Sequence, residues 1–340
     1  MEQLLTHLPT YGLLLAIGAC IWMLCLGAEW AIDGVVHLAR RTGLPRIVIG
    51  ATIISLGTTL PEAFVSVTAA WTDNPGLALG NGVGSIIADT GLVLGLTCIL
   101  TRVPVNRFIL NRTGWIQVGA ATFLVVIALG AWGLMSEPKL ERWVGVLFLL
   151  LLAGYLYITY RWARIGGSVA LEGELLNDSE LKKILSCLVL IFGGLILVIL
   201  GARILVPCAS EIALRFGVPQ DVIAATMVAL GTSLPELTTA IASVKRGHPE
   251  IMVGNVVGAD VLNCLFVIGA SAAAKHLPIP ASFYTFHFPA MLLILYSFRA
   301  FIGMSRNGHF SRWHGLWLLA VYAAYIVSQY VFNLSSLAYH

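Results

Sequence analysis

The sequence predicts an all-α integral membrane protein with ten transmembrane helices, arranged as two inverted-topology repeats of five. Three observations predict it: an apolar composition, ten long apolar stretches and an internal repeat that carries acidic residues. Of the 340 residues, 58% are hydrophobic and only 11% are charged, and the mean hydropathy is +0.88. Because a soluble protein carries about 25% charged residues, we expect the bilayer to be the solvent for most of this chain.

Ten apolar stretches are long enough to cross a membrane. A hydrocarbon core of roughly 30 Å needs about 20 residues of α-helix. The stretches are continuous rather than alternating, which argues against a β-barrel and for helices. The predicted spans are 9–38, 46–71, 75–100, 114–134, 142–160, 184–212, 219–244, 250–273, 279–302 and 313–333.

The basic residues predict how the chain is oriented. Loops on the cytoplasmic side of a membrane retain more Lys and Arg than loops on the other side. The loops after the odd-numbered spans hold fifteen such residues, whereas the opposite loops hold four. We therefore expect a multi-pass protein of the inner cell membrane with both termini outside. The net charge of +3 gives no reason to expect a nucleic-acid partner. The lipid bilayer is the expected surroundings, and no protein partner is evident.

One segment of the sequence occurs twice. A single constant shift along the chain, called the repeat shift below, places LGTTLPE at 56–62 on LGTSLPE at 230–236 and Gly80-Asn81 on Gly254-Asn255. Each copy would contain five spans, and an odd number of spans makes the second copy enter the membrane from the opposite side. The predicted division is 1–161 for the first repeat, 162–182 for a cytoplasmic linker and 183–340 for the second, inverted repeat.

A proline lies in the middle of an apolar span in each copy. Pro61 and Pro235 lack an N–H and clash with the carbonyl four residues earlier, which frees backbone oxygens near Gly57 and Gly231. Free carbonyls at this depth are tolerated only where another group satisfies them. We therefore predict a break in each helix, with a desolvated cation as the partner of the freed carbonyls.

Hydroxyl groups and a carboxylate adjoin each proline. Their spacing puts them on adjoining positions of one helical face, and hard oxygen ligands suit sodium or calcium. A structural role is the alternative, since Thr side chains in membrane helices often bond to their own backbone. An ionised Glu inside a span is costly and usually marks an ion pathway or a proton relay, so two matched glutamates favour function. The residues are Thr58, Thr59 and Glu62 in the first copy and Thr232, Ser233 and Glu236 in the second.

A second motif follows each of these segments. It is GNGVGSIIAD at 80–89 and GNVVGADVLN at 254–263. Small residues alone would indicate close helix packing, but polar side chains also recur here at helical spacing. They are Ser85 and Asp89 in the first copy and Asp260 and Asn263 in the second.

At these residues the chain resembles the sodium/calcium exchangers of the calcium/cation antiporter superfamily, of the prokaryotic type without a regulatory domain. That family carries G-[TS]-[TS]-x-P-E and a GNxxGS-type block in each of two repeats. The resemblance implies a shared cation site and alternating access by sliding of the first and sixth helices against the other eight. The implied central residues are Glu62, Asp89, Glu236 and Asn263, the implied hydroxyl ligands are Thr58, Thr59, Ser85, Thr232 and Ser233, and the implied backbone carbonyls are near Ser55 and Ala229.

The second copy departs from the family pattern. Ala259 lacks the hydroxyl that Ser85 supplies in the first copy, and Asp89 and Asn263 stand in the order opposite to that of close relatives. Asp260 is an additional acid, which we include among the candidate cation ligands without assigning it a role. These departures leave the coupling ion and the stoichiometry open.

The sequence therefore predicts a secondary active antiporter that exchanges calcium for sodium at a site near the bilayer midplane. Proton-coupled exchange, which Ala259 and Asp260 would favour, potassium-assisted exchange and a cation channel are the alternatives. An enzyme is not expected, because the polar core has no His-rich or Cys-rich cluster and the sequence has no GxxxxGK[ST] loop. No cofactor is expected besides the transported Ca²⁺ and Na⁺ (or H⁺).

Two opposite charges lie within the first and sixth spans. The repeat shift puts Glu29 on Arg203. Equivalent positions of two neighbouring helices can meet near the repeat axis, so one hypothesis is an ion pair that influences the sliding step. Separate snorkelling of each side chain to an interface is the simpler expectation.

Overall fold

The structure, a computed structural model, describes the backbone of residues 8–166, 178–216, 220–305 and 308–337. The side chains of 163–182, 217–232, 306–307 and 330–340 lie outside the described residues. Two predicted site residues, Ala229 and Thr232, fall among these side chains, as does almost all of the predicted linker at 162–182. The division of the chain into two repeats and a linker therefore stays a prediction.

Ten helices make up the described chain. Eight of them are long and apolar enough to cross a membrane, and the other two contain 26 residues each. The predicted helical class is confirmed. The helices are α1 (Thr10–Thr42), α2 (Arg46–Trp71), α3 (Pro75–Leu100), α4 (Arg107–Leu134), α5 (Arg142–Gly166), α6 (Asp178–Arg215), α7 (Gln220–Lys245), α8 (Pro249–Ala274), α9 (Phe283–Met304) and α10 (Arg312–Leu337).

The largest difference from the predicted spans is at the start of α4. This helix begins at Arg107, seven residues before the predicted apolar stretch at 114–134. Asn106 caps it, because its side-chain oxygen accepts a hydrogen bond from the backbone N–H of Ile109 at 3.2 Å. Hydropathy detects only the part of a helix that lies in hydrocarbon, whereas a cap satisfies the free N–H groups where the helix starts.

Short backbone pairings join the loops. Strand β1 (Lys139–Leu140), between α4 and α5, pairs antiparallel with β2 (Leu277–Pro278), between α8 and α9. A single bridge between Pro104 and His309 joins the α3–α4 loop to the α9–α10 loop. Both pairings connect a loop from the first half of the chain to one from the second.

Among the eight helices with a described apolar window, the three most buried carry polar motifs. In α8, 94% of the apolar window is buried inside the protein, compared with 28% in α1. Helices α2 and α3 follow with 67% and 72%. Polar side chains on these helices therefore face other protein atoms rather than lipid.

Helices α1 and α6 pack against each other in antiparallel directions. A Cβ placed on Gly27 would lie 2.5 Å from the carbonyl oxygen of Gly194, so the two backbones touch. Towards the end of α1, Gly34 faces Cys187, and towards its start, Cys20 faces Gly201. Two equivalent helices that run in opposite directions are what an inverted repeat requires.

The hypothesised ion pair between Glu29 and Arg203 is wrong. Glu29 instead accepts a hydrogen bond from Arg246, 3.1 Å from the guanidinium nitrogen, and Asp33 lies 3.2 Å from the same nitrogen. Antiparallel packing explains the error. Arg203 lies nine residues along α6 from Gly194, or roughly 14 Å, in the direction away from Glu29.

The predicted breaks at the prolines are also wrong. Helix α2 continues through Pro61 from Ser55 to Trp71, and α7 continues through Pro235. A proline inside a helix removes one backbone hydrogen bond, and neighbouring helices can tolerate that loss in a membrane protein. The irregular part of α2 is a π-helical segment at Gly50–Ile54, which precedes the proline.

Candidate cation site

Two π-helical turns lie at equivalent positions of the two halves. One covers Asp89–Leu94 of α3 and the other covers Asn263–Ile268 of α8, so the repeat shift relates the turns as it relates the sequence motifs. Such turns are rare and often occur at functional sites. Asn263 Nδ2 donates to Asp89 Oδ2 at 3.4 Å, and both side chains are 1% exposed. The first residues of the two turns therefore meet in the protein interior.

The two motif glutamates are buried in the same region. Glu62 of α2 and Glu236 of α7 are each 2% exposed. Their carboxyl groups lie within electrostatic range of each other, and Asp89 lies within range of both. Thr58 of the first motif also lies near the Glu236 carboxylate of the second.

The hydroxyl groups around the motif glutamates fall into two groups. Thr58 and Ser55 donate to backbone carbonyls one turn earlier in α2, at 3.3 Å. The hydroxyls of Thr59, Ser85 and Ser233 have no hydrogen-bond partner among the described residues, although all three side chains are buried. The side chain of Thr232 and the surroundings of Ala229 lie outside the described residues.

Many buried oxygens of this region have no donor. A buried oxygen that has lost water and gained no hydrogen bond is costly, and native proteins contain few of them. A cation satisfies several such oxygens at once. Within the described part of the chain, the oxygens without a partner include Glu62 Oε2, Glu236 Oε2, Asp89 Oδ1, Asn263 Oδ1, Thr59 Oγ1, Ser85 Oγ and Ser233 Oγ.

Asp260 lies outside the contact between Asp89 and Asn263 and has its own partners. Its Oδ2 accepts hydrogen bonds from Thr90 of α3 and from Gln117 of α4. Neither partner was predicted from the sequence. A lone glutamine inside the apolar span of α4 was the available signal, because polar side chains within a membrane usually face the protein interior.

A comparison with protein families matches most of the chain. A family model described as "Sodium/calcium exchanger protein" matches residues 12–161 and 186–331. The chain belongs to this family.

Relatives match most of the chain. It is 33% identical over 307 residues to the "Uncharacterized membrane protein MJ0091" of Methanocaldococcus jannaschii, covering 90% of this chain and 94% of the relative. It is 27% identical to "Sodium/calcium exchanger MaX1" of Methanosarcina acetivorans, covering 88% and 93%. It is 30% identical to "Inner membrane protein YrbG" of Escherichia coli K12, covering 86% of each chain.

A solved exchanger has the same fold. The sodium-calcium exchanger NCX_Mj, soaked with 10 mM Na⁺ and no Ca²⁺, superimposes with a TM-score of 0.79 at 30% identity. The match covers 93% of this chain and 99% of that one. The ten helices of this family member are therefore arranged as in a membrane exchanger.

The oxygens available in this exchanger-family chain fit a cation that is bound and released. The described residues contain no compact cluster of three or more His, Cys, Asp or Glu side chains arranged as metal ligands. The site instead combines separated carboxylates with hydroxyl and amide oxygens. Neutral oxygen ligands and few carboxylates give weaker calcium sites than a compact acidic cage, which suits a transported ion.

Proposed function

We propose that this chain is a secondary active antiporter that exchanges calcium for sodium across the membrane. The observation that carries the proposal is the pair of buried glutamates, Glu62 and Glu236, contributed by the two copies of one motif with one carboxylate oxygen of each left without a donor. Membership of the sodium/calcium exchanger family supports it. No catalytic step is needed, so the activity would be transport rather than enzymatic.

The proposed site residues divide by role. Glu62 and Glu236 would bind calcium directly, because a divalent ion needs more than one negative charge nearby. Asp89 and Asn263 would complete the centre. Coupling follows if sodium and calcium use overlapping oxygens, since only one kind of ion can then load the site at a time. The groups that would serve the competing sodium ions are Thr58, Thr59, Ser85, Thr232 and Ser233, with the carbonyls near Ser55 and Ala229.

Alternating access would come from α1 and α6, which we propose slide together along the remaining helices. The glycine contact between Gly27 and Gly194 makes these two helices a tightly packed pair. Much of the surface of each lies outside the protein interior, with 28% and 33% of their apolar windows buried. A pair of helices with few fixed contacts can move at lower cost than the buried α8.

Calcium flux in proteoliposomes tests the site. Glu62→Ala and Glu236→Ala should each abolish calcium uptake driven by an outward sodium gradient, because each removes a charge that offsets the cost of desolvating calcium. Glu141→Gln is the matched control, since this acid pairs with Lys139 at 3.2 Å in a loop. Normal exchange in either alanine variant would reject the assignment.

The same vesicles identify the coupling ion. Calcium uptake should follow an imposed sodium gradient and should not follow a pH gradient or a potassium gradient alone. Calcium uptake that needs no cation on the opposite side would instead indicate a channel.

We also propose that the protein lies in the inner membrane with both termini outside. The excess of Lys and Arg in the loops after odd-numbered helices supports this orientation. Reporter domains fused after Lys139 and after Arg246 should be found on the outer and cytoplasmic sides, respectively. The reverse result would contradict the orientation without affecting the exchange proposal.

A further inference from the structure

A second buried polar cluster lies next to the candidate site. It consists of Thr90 of α3, Gln117 of α4 and Asp260 of α8, whose side chains are 0%, 1% and 2% exposed. Thr90 Oγ1 and Gln117 Nε2 both donate to Asp260 Oδ2, and Gln117 Nε2 lies 3.4 Å from Thr90 Oγ1. Thr90 follows Asp89 directly, and Asp260 lies one helical turn before Asn263. The cluster therefore adjoins the central contact without being part of it.

Two oxygens of this cluster remain free. Asp260 Oδ1 and Gln117 Oε1 are buried and have no hydrogen-bond partner among the described residues. Gln117 Nε2 faces Asp260 Oδ2, and this is the orientation that an ionised carboxylate, which only accepts hydrogen bonds, requires of the amide. Both free oxygens belong to groups that already touch. A hard cation is a suitable partner for a buried carboxylate and amide oxygen.

The place that the repeat shift relates to this cluster has no polar counterpart. The repeat shift takes Thr90 to Cys264 and Gln117 to Met291, and it relates Asp260 to Ile86. These three counterparts are buried in the hydrophobic core at 1%, 0% and 0% exposure. If packing alone required polar residues here, both equivalent places would contain them. Apolar residues fill the equivalent place instead, so packing does not require the polar ones. Three polar residues together at one of two equivalent places indicate a binding function.

We propose that Asp260, Gln117 and Thr90 bind one monovalent alkali cation, separate from the ion at Glu62 and Glu236. One carboxylate balances one positive charge, so a monovalent ion fits better than a divalent one. The site follows directly after Ala259, the position where the second copy lacks the hydroxyl of Ser85. The inference rests on the proposed function, since the bound cation would be one of the ions coupled to calcium movement.

Direct ion counting tests the inference on the purified full-length protein. Gln117→Met installs the residue found at the equivalent core position, and Asp260→Asn removes the charge while keeping the shape. Thr113→Val is the matched control, because Thr113 is buried one turn earlier on α4 and donates to the carbonyl of Ile109 in its own helix, at 3.0 Å. Equilibrium binding of ²²Na⁺ and, in a parallel arm, ⁸⁶Rb⁺ as a potassium substitute gives the number of ions per protein.

We expect both site variants to bind one alkali cation fewer than wild type in at least one arm, and Thr113→Val to bind the same number. In proteoliposomes, the sodium or potassium concentration for half-maximal calcium uptake should rise about tenfold in Gln117→Met. The calcium concentration for half-maximal calcium–calcium exchange should change far less. A thermal unfolding midpoint close to that of wild type would show that Gln117→Met is folded.

Unchanged ion counts in both arms in folded Gln117→Met would overturn the inference. So would an equal loss of calcium affinity in calcium–calcium exchange, because the cluster would then belong to the calcium site. Failure of the proposed function has a different signature, since wild-type protein would then show no sodium-driven calcium uptake while ion counting could still detect the site.

Discussion

At the scale of single residues, Asn81 connects the second motif of the first copy to the helix that carries Glu62. Its Nδ2 donates to the backbone carbonyl of Glu62 at 3.1 Å and to Ser66 Oγ at 2.9 Å. Its counterpart Asn255 donates to Thr239 Oγ1 at 3.4 Å, and its Oδ1 has no partner among the described residues. The same amide at equivalent positions therefore holds the first glutamate more firmly than the second. Neither asparagine was predicted to have a role beyond the repeat motif.

Asn81→Leu should destabilise the fold more than Asn255→Leu. Side-chain hydrogen bonds between membrane helices contribute about 0.6 kcal/mol each on average, and Asn81 makes two. We expect the free energy of unfolding to fall by about 1 kcal/mol. Calcium affinity should also fall, because the Glu62 backbone carbonyl loses its hydrogen bond from Asn81. Thermal unfolding in detergent and ⁴⁵Ca²⁺ uptake measure the two effects. Equal effects of the two substitutions would contradict this difference between the halves.

Among helices, the π-helical turns and the α1–α6 contact determine how the site is built. A π-helical turn inserts a residue into the helix and rotates the side chains beyond it, and here each turn starts at a residue that meets its counterpart, Asp89 or Asn263. No proline marks either turn, so the sequence did not reveal them. The glycine contact between α1 and α6 was likewise invisible, because α1 and α6 contain several glycines and only packing selects those that touch.

Adding one methyl group to α6 distinguishes these glycines. Gly194→Ala would place a Cβ 2.6 Å from the backbone nitrogen of Ala31, whereas Gly193→Ala meets nothing within 4 Å. The α1 backbone cannot move aside at low energetic cost. Gly194→Ala should therefore separate the two helices and markedly reduce the exchange rate and the thermal stability. Gly193→Ala should match wild type in both. Similar behaviour of the two variants in flux and unfolding assays would rule out this packing.

Across the whole molecule, ion pairs connect the two halves of the chain. Arg246, after α7, pairs with Glu29 and Asp33 of α1. Arg46, at the start of α2, pairs with Glu250 of α8 at 3.0 Å. Arg46 also lies 3.0 Å from His248 Nδ1. The pKa of His248, which lies in a loop, is lowered first by burial and then by the positive charge of Arg46. The first of these connections links a proposed moving helix to the rest of the protein.

A double-mutant cycle tests which arginine pairs with Glu29. Arg246→Ala and Glu29→Gln should couple by about 0.2–1 kcal/mol, as expected for a partly exposed pair, when unfolding is measured in low salt. Arg203→Ala combined with Glu29→Gln should be additive, because the two residues lie far apart along antiparallel helices. Coupling in the second cycle and not in the first would restore the rejected pair and contradict the packing of α1 on α6.

Composition and motif spacing were enough to predict the membrane class, the ten spans and the two motif glutamates. Lipid forces each segment to satisfy its own backbone, so composition and length decide where helices form, and ionised Glu62 and Glu236 are too costly there to be incidental. Three features became visible only in the folded chain: Gln117 bonds to Asp260, Arg246 rather than Arg203 pairs with Glu29, and α2 continues through Pro61. These outcomes depend on which faces of distant helices meet, and packing sets that arrangement rather than the composition of any one segment.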